Sequence, residues 1–413
     1  MAVESTLAPT EGRRYLEIEI RYIAKDEILE SHIATERANG SHGDEAALPL
    51  ITEALNDGRG VAAVDDGIIV GYGIAYPLKM NVGKERFPTT LLDNVAVLPT
   101  HRRRGILNRM MDFHMRDFYE RGETLSGLGA SESIIYGRYG YGIGSMQVDF
   151  SIDRRDTAFI NDISTKGKCR FINSTDALYT LPEVAERANS TRSGFMKGTE
   201  SLWKLYLSDP EYQRGDGSEM FHVIYEDDGQ VDGYVSYRVR KDTLMIHEMI
   251  SATSRSHTAL WRYCFGVDLM SRIDAPKRPV DDPLPWMLAD PRRLHQSLRD
   301  DLWLRMVVVK DALSERSYDC EGRLVFEIKD RFCPWNANSY ELEGSPQGSS
   351  CVLTSKSPDI SISAADLSSA YLGGTTFTAL ARAGRAHENK QGSFALADNM
   401  FRTDLQPWWP NEF

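Results

Sequence analysis

One short run in this sequence is well suited to chemistry: Arg102-Arg103-Arg104-Gly105. It follows a β-branched stretch, Leu91–Leu98 (LLDNVAVL), and the turn Pro99-Thr100-His101. It precedes a segment in which Ile106, Leu107, Met110, Phe113, His114 and Phe118 recur at helical spacing. A strand that turns directly into a helix leaves free backbone N–H groups and the positive end of the helix dipole at one point. Such a point binds a pyrophosphate, a glycine there lets backbone approach the ligand closely, and three guanidinium groups add charge for phosphates. An RRRG run alone is more often a solvated basic turn, so the assignment needs its neighbours. His101, His114, His222 and His247 show no HxxxH or HExxH spacing, and no metal site is expected.

The elements that must position this loop repeat along the chain. Gly60–Tyr76 (GVAAVDDGIIVGYGIAY) reads as two strands joined by Asp65-Asp66-Gly67, a strong hairpin signal. A further strand is expected at Leu125–Ala130, with Ser131-Glu132 opening the next helix. Phe221–Val239 repeats the hairpin: Asp65-Asp66-Gly67…Gly71-Tyr72 recurs as Asp227-Asp228-Gly229…Gly233-Tyr234. The strand Leu244–Ser251 then stands where Leu91–Leu98 stood, but Ala252–His257 after it lacks both the arginine cluster and the glycine. Hairpin, strand and helix in one order indicate a duplicated domain whose second copy lost its anion site. Asn161–Glu200 has helical patches and no motif. Pro276, Pro279, Pro283, Pro285 and Pro291 suggest a stiff, extended connector. Beyond it, the runs Leu302–Val309, Arg323–Ile328, Ser339–Glu343 and Asp359–Ser363, with helical stretches at Ala365–Ala370 and Phe377–Arg385, predict a small α+β domain.

Composition sets the outer bounds. A chain of 413 residues is too long for one ordinary core. Its 41% hydrophobic and 26% charged residues are those of a globular protein, and no apolar run approaches the ~20 residues that cross a bilayer. Met1–Arg14 has no apolar core and no small-residue cleavage site, so no secretion signal is expected. Five cysteines, widely spaced and without a CxxC pair, indicate neither a disulfide framework nor a zinc site, so a cytoplasmic setting is expected. A net charge of −12 argues against nucleic acid and suits a cationic substrate, although charge of this size is also an ordinary aid to solubility.

Val95-Ala96-Val97-Leu98-Pro99-Thr100-His101-Arg102-Arg103-Arg104-Gly105-Ile106-Leu107 resembles the GNAT acetyltransferase signature, a VxV strand followed by a pyrophosphate loop of type (R/Q)xxGx(G/A) and a helix. Arg102 and Gly105 match, and Leu107 replaces the final small residue. The sequence is similar in particular to the Eis (enhanced intracellular survival) family, from about Gly60 to Phe413. The likeness includes Ala130–Gly142 (ASESIIYGRYGYG), Asp282-Pro283-Leu284-Pro285, Tyr371-Leu372-Gly373-Gly374 and the ending Asn411-Glu412-Phe413. The first ~55 residues match much less clearly.

The resemblance implies a mixed α/β (α+β) chain: an N-terminal GNAT domain (1–155), a degenerate second GNAT domain (156–300) and a sterol-carrier-like domain (301–413). It implies acetyl-CoA as acetyl donor and amines of aminoglycosides or similar polyamines as acceptors, with lysine side chains as the alternative. It also implies a homo-oligomer, commonly a hexamer. Neither nucleic acid nor membrane is expected as a partner. The cofactor residues expected are Val95, Ala96, Val97, Arg102, Arg103, Arg104, Gly105, Ile106, Leu107 and Asn108, with Ser131 and Glu132 toward the pantetheine end. Tyr136 matches the family's general acid, which protonates the departing thiolate. The carboxylate of Phe413 matches the base that takes the ammonium proton, being ionised near neutrality with a reference pKa of ~3.5. Glu412 would attract the cationic amine. Tyr139 and Tyr141 are expected to be structural. A non-catalytic binding protein on the same fold is the competing class; loss of the arginines or of Tyr136 would have favoured it, and both are present.

Overall fold

A computed structural model describes residues 18–42, 48–161, 163 and 166–410. The first unit contains β1 (Glu19–Tyr22), α1 (Ile28–Asn39), α2 (Leu48–Leu55), β2 (Arg59–Asp65), β3 (Ile68–Val82), β4 (Glu85–Val97), α3 (Ile106–Glu120), β5 (Leu125–Gly129), α4 (Ser133–Tyr136) and β6 (Gly142–Ile143). The expected hairpin joins β2 to β3, with Asp66 and Gly67 at φ 52° and 78°, the left-handed pair of a two-residue turn. Gly71 and Gly73 let α3 lie close on β3: a Cβ at Gly71 would stand 3.0 Å from Met110 Sδ, and one at Gly73 3.1 Å from His114 Nε2.

The second unit contains β7 (Met146–Asp153), β8 (Lys168–Ile172), α5 (Ser174–Ala188), α6 (Glu200–Tyr206), α7 (Glu211–Arg214), β9 (Phe221–Asp227), β10 (Gln230–Arg240), β11 (Thr243–Ser251), α8 (Ser254–Gly266), β12 (Arg272–Pro279), α9 (Leu284–Met287) and β13 (His295–Asp300). Its hairpin β9–β10 repeats the same turn, with Asp228 and Gly229 at φ 50° and 79°. The last part holds β14 (Leu302–Met306), α10 (Val309–Ser314), β15 (Gly322–Lys329), β16 (Ser339–Ser345), β17 (Gly348–Leu353), β18 (Ile360–Ser363), α11 (Ala364–Tyr371), α12 (Phe377–Arg382), β19 (Ala386–Glu388) and α13 (Ser393–Phe401).

Three sheets result, in the orders β1-β2-β3-β4-β5-β14-β6, β13-β7-β12-β11-β10-β9-β8 and β17-β16-β15-β18-β19. They depart from the expected domain limits in two places. β7 precedes residue 155 yet pairs in the second sheet with β12 and β13. β14 follows residue 300 yet inserts into the first sheet between β5 and β6. The proline-rich connector is also corrected. Arg272–Pro279 is the interior strand β12, parallel to β11 on one side and antiparallel to β7 on the other. Prolines are tolerated there because the β7 pairing breaks between Ala275 and Arg278, a bulge with Lys277 at φ 58°.

Burial explains why β14 changes sheets. Leu302, Leu304 and Met306 share one core with Met80, Phe87 and Leu125 of the first unit and with Phe326, Phe377 and Phe401 of the last. Arg305, fully buried on the same strand, pairs with Asp330 and donates to the Gly140 carbonyl at 3.3 Å. The chain then returns: Pro407–Pro410 are buried where the units meet. Trp408 Nε1 donates to the Lys277 carbonyl (2.9 Å), Trp408 N to Ser193 (3.0 Å) and Trp409 N to Asp301 (3.1 Å). The aromatic tail is anchored. Asn411, Glu412 and Phe413 lie outside the described residues.

Candidate active site

β4 carries the site because it stops pairing on one side. It runs parallel to β5 only at Thr89–Leu91 opposite Leu125–Gly127, then continues alone on that side to Val97. On its other side Tyr72 pairs with Ala96 and Ile74 with Asp93, so Asn94 and Val95 together oppose Gly73. Asn94 absorbs the extra residue at φ 54°, a conformation asparagine tolerates. The parted strands open a cavity of about 650 Å³.

Of the twelve residues expected at a cofactor site, eleven line this cavity: Val95, Ala96 and Val97 from β4; Arg102, Arg103 and Gly105 from the loop; Ile106, Leu107 and Asn108 from α3; and Ser131 and Glu132 after β5. Arg104 does not. It turns to the back of the loop, 3.6 Å from Asp65, which also holds His101 at 3.2 Å. Asp65 ends β2, so the hairpin fixes the loop from behind. Arg102 supports the wall differently, donating to the carbonyls of Val97 (3.3 Å) and Ala38 (3.1 Å). Arg103, at φ 64°, is exposed, and no ion pair to it is found among the described residues. Gly105 precedes α3 at φ 75° and supplies no side-chain cap, so the first N–H groups of a 15-residue helix face the loop unpaired by any capping side chain.

Ser131 and Glu132 are exposed, and the helix starts only at Ser133, without a side-chain bond from Glu132. Arg138 is an exposed cation in the same wall that the sequence reading missed; its place beside Tyr136 was the available signal. Tyr139 lines the cavity while packing edge-on against Phe332 (4.9 Å), and Tyr141 is buried with its hydroxyl 2.7 Å from Ser126 Oγ. Tyr136 is buried in the cluster that includes Leu92, Leu128, Val95 and Leu107. Burial first, and the nearby charge of Asp93 second, push its hydroxyl up to about 12. It therefore stays protonated near neutral pH.

A second cavity, about 370 Å³, lies on the other side of the bulge, between the two copies. Asp93 and Asn94 line it from β4, Glu36 from α1, His247 from β11 and Pro410 from the tail. No sequence pattern points to this cavity, because its walls come from segments far apart in the chain.

The matching cleft of the second sheet is closed. Gly71 pairs with Val97 and Gly233 with Ser251, so Met249 holds the place of Val95. The Met249 carbonyl accepts from buried Arg278, whose guanidinium is also 2.8 Å from Asp282. Asp282 accepts further bonds from the Leu284 N–H (2.9 Å) and stands 3.1 Å from His257 Nε2. That carboxylate is what the Asp282-Pro283-Leu284-Pro285 motif supplies. Among the described residues no group of three His, Cys, Asp or Glu side chains could hold a metal ion, and no helix is long and apolar enough to cross a membrane.

Two parted-strand sheets, one open and one closed, define a tandem acetyltransferase architecture, and comparisons with known proteins agree. Residues 19–144 and 194–307 each match an acetyltransferase (GNAT) domain family, and residues 309–410 match a sterol carrier protein domain. The chain is 31% identical over 380 residues to N-acetyltransferase Eis of Mycobacterium tuberculosis, covering 88% of this chain and 91% of that one. It is 34% identical over 365 residues to an uncharacterized N-acetyltransferase of Streptomyces avermitilis, covering 86% and 89%. The crystal structure of Eis1 from Mycobacterium abscessus superimposes with a TM-score of 0.84 at 30% identity, over 96% of this chain and 100% of that one. The protein belongs to the Eis family of GNAT N-acetyltransferases.

Proposed function

We propose that the first copy binds acetyl-CoA in the cavity between β4 and β5 and passes its acetyl group to an amine entering from the inter-copy cavity. The observation that carries this is the uncapped N-terminus of α3 beside Arg103 at the mouth of the parted strands. Pyrophosphate would sit on the helix N–H groups and on Arg103 and Arg138, and the pantetheine arm would run along Val95–Val97. The neutral amine attacks the thioester carbonyl, and the oxyanion is met by β4 N–H groups freed where β5 departs. Tyr136, held protonated by burial, gives its proton to the leaving thiolate. The ammonium's proton goes to an acceptor at the end of the tail, where the family resemblance puts the carboxylate of Phe413 beside Glu412. The tail's anchored course to Pro410, in the wall of the acceptor cavity, supports that route. The same resemblance puts aminoglycoside-type polyamines and lysine side chains among the acceptors and a hexamer as the assembly.

A thiol-release assay with acetyl-CoA and a panel of primary amines tests the reading. Release should depend on the amine and yield the N-acetyl product. It should nearly vanish when a few residues are appended after Phe413, with acetyl-CoA affinity retained. No amine-dependent release across the panel would overturn the function; full activity of the extended chain would overturn the terminal base.

A further inference from the structure

Two arginines hold the tail, and one of them is the side chain that closes the cleft of the second copy. Arg278, fixed by the Met249 carbonyl and by Asp282, lies over the Trp408 ring at 5.6 Å and over Trp261 at 6.0 Å. A buried guanidinium held by its own hydrogen bonds is a rigid seat, and the face of an indole is drawn to its charge. Arg192 reaches the same ring at 5.7 Å. It also donates to the Gln406 carbonyl at 2.7 Å and to Asp281 at 2.9 Å, while Asp281 accepts from the Gln406 N–H at 2.9 Å. Both backbone groups of Gln406 are therefore taken.

The seat is tied to the first copy as well. The Gly194 N–H donates to the Asn81 carbonyl on β3 at 2.9 Å. Gly194 is at φ 92°, and a Cβ there would stand 3.2 Å from the Trp408 carbonyl oxygen, so only glycine lets the tail lie this close. Trp409 passes the end of β5, where a Cβ on Gly129 would stand 3.5 Å from its ring. Such anchoring matters for a base carried at a chain end. Unanchored ends fray, and misplacing a reacting group by about 1 Å can cost about 10²-fold in rate. From Pro410, in the wall of the inter-copy cavity, the three residues to Phe413 span at most about 10 Å. The seat of Trp408 therefore sets what the terminal carboxylate can reach.

Resting on the terminal-base reading above, we propose that Arg278 and Arg192 are positioning residues for that base. They act through Trp408 and Gln406, and the task of the cofactor-free second copy is to index the tail. The space that holds acetyl-CoA in the first copy is filled in the second by the guanidinium on which the tail is seated.

The test uses the full chain, acetyl-CoA and the primary amine that the wild type acetylates fastest. Arg278→Ala would strand Asp282 in the core, so the substitutions are made at the half-buried rim, as Arg192→Ala and Asp281→Ala. Each should lower kcat about tenfold to a hundredfold and leave the KM for acetyl-CoA unchanged. Together they should cost little more than the worse of the two, because both act on Gln406. The decisive arm repeats Arg192→Ala in a chain extended by a few residues after Phe413. There the residual rate should change less than about twofold, since the group being positioned is already gone. A loss under about threefold in both single variants, a KM for acetyl-CoA that rises to match the loss, or an equal loss in the extended chain would overturn the clamp while the terminal base stands. Full activity of the extended chain would overturn the terminal base and the clamp with it.

Discussion

The starts of α3 and α8 are the same point of a repeated unit, and they do opposite things. Both follow a hairpin with a DDG turn and a strand that leaves its parallel neighbour after three residue pairs. At α3 the cap is Gly105, which offers no side chain, so the helix end and Arg103 look into an open cavity. At α8 the cap is Thr253: its hydroxyl accepts from the Ser256 N–H at 3.1 Å, while Ser256 Oγ accepts from the Thr253 N–H at 3.1 Å. The second helix has answered its own donors, and Arg278 fills the cleft behind it with a buried ion pair. Removing the anion site took more than losing arginines. The space had to be closed by groups that satisfy one another, because a buried guanidinium or carboxylate left alone is costly.

The largest effect is expected at the open copy. Tyr136→Phe removes only a proton donor, so kcat should fall about 10²–10⁴-fold with little change in KM. A loss under about threefold, with chemistry rate-limiting, would take Tyr136 out of the acid role.

The next largest effect belongs to the closed copy. Burial raises the Glu248 carboxyl from 4.5 to about 7, although Tyr234 donates to it at 2.6 Å and Arg278 is near. The folded state therefore holds a proton that the unfolded state has released between these values. Its stabilising contribution is complete below pH 4.5 and is lost as pH rises through about 7. Glu248→Gln cannot titrate, so it should lessen the fall in stability between pH 5 and 8, by up to about 3 kcal/mol. Denaturant melts at both pH values check this, and parallel curves for mutant and wild type would refute it.

Arg103→Glu should weaken acetyl-CoA by roughly tenfold to a hundredfold, since a charge-assisted bond contributes about 1.5–3 kcal/mol. With no ion pair to Arg103 among the described residues, the melting temperature should hardly move. An unchanged KM for acetyl-CoA would make the loop mere surface. The smallest effect is expected at the closed copy: Thr253→Gly with Ser256→Ala uncaps α8 and should cost about 1 kcal/mol. Calorimetry should still find one acetyl-CoA per chain, because Arg278 keeps the cleft shut. A second site appearing in this variant would show that the cap alone had closed it.

Residue type and spacing alone reveal the repeated unit and the chemistry of its open end. Asp66-Gly67 and Asp228-Gly229 dictate left-handed turns wherever they fall, β-branched runs dictate the strands, and a glycine before an amphipathic run dictates an uncapped helix. These are local properties, readable from spacing. Eleven of the twelve expected cofactor positions share one cavity for the same reason, since all but Ser131 and Glu132 fall within the one stretch Val95–Asn108. What each charge is for depends on packing. Arg102, Arg103 and Arg104 look alike in the sequence; packing gives the first to backbone carbonyls and the third to Asp65, and leaves the second facing the cavity. It also decided that a proline-rich stretch is an interior strand, since the bulge that admits Pro276 exists only beside β7. β14 left its neighbours for the first sheet because its apolar side chains complete a core shared by two units. The inter-copy cavity was invisible for the same physical reason. Its walls are α1, α2, β3, β4, α6, β11, β12 and the tail, and only folding makes such distant residues neighbours.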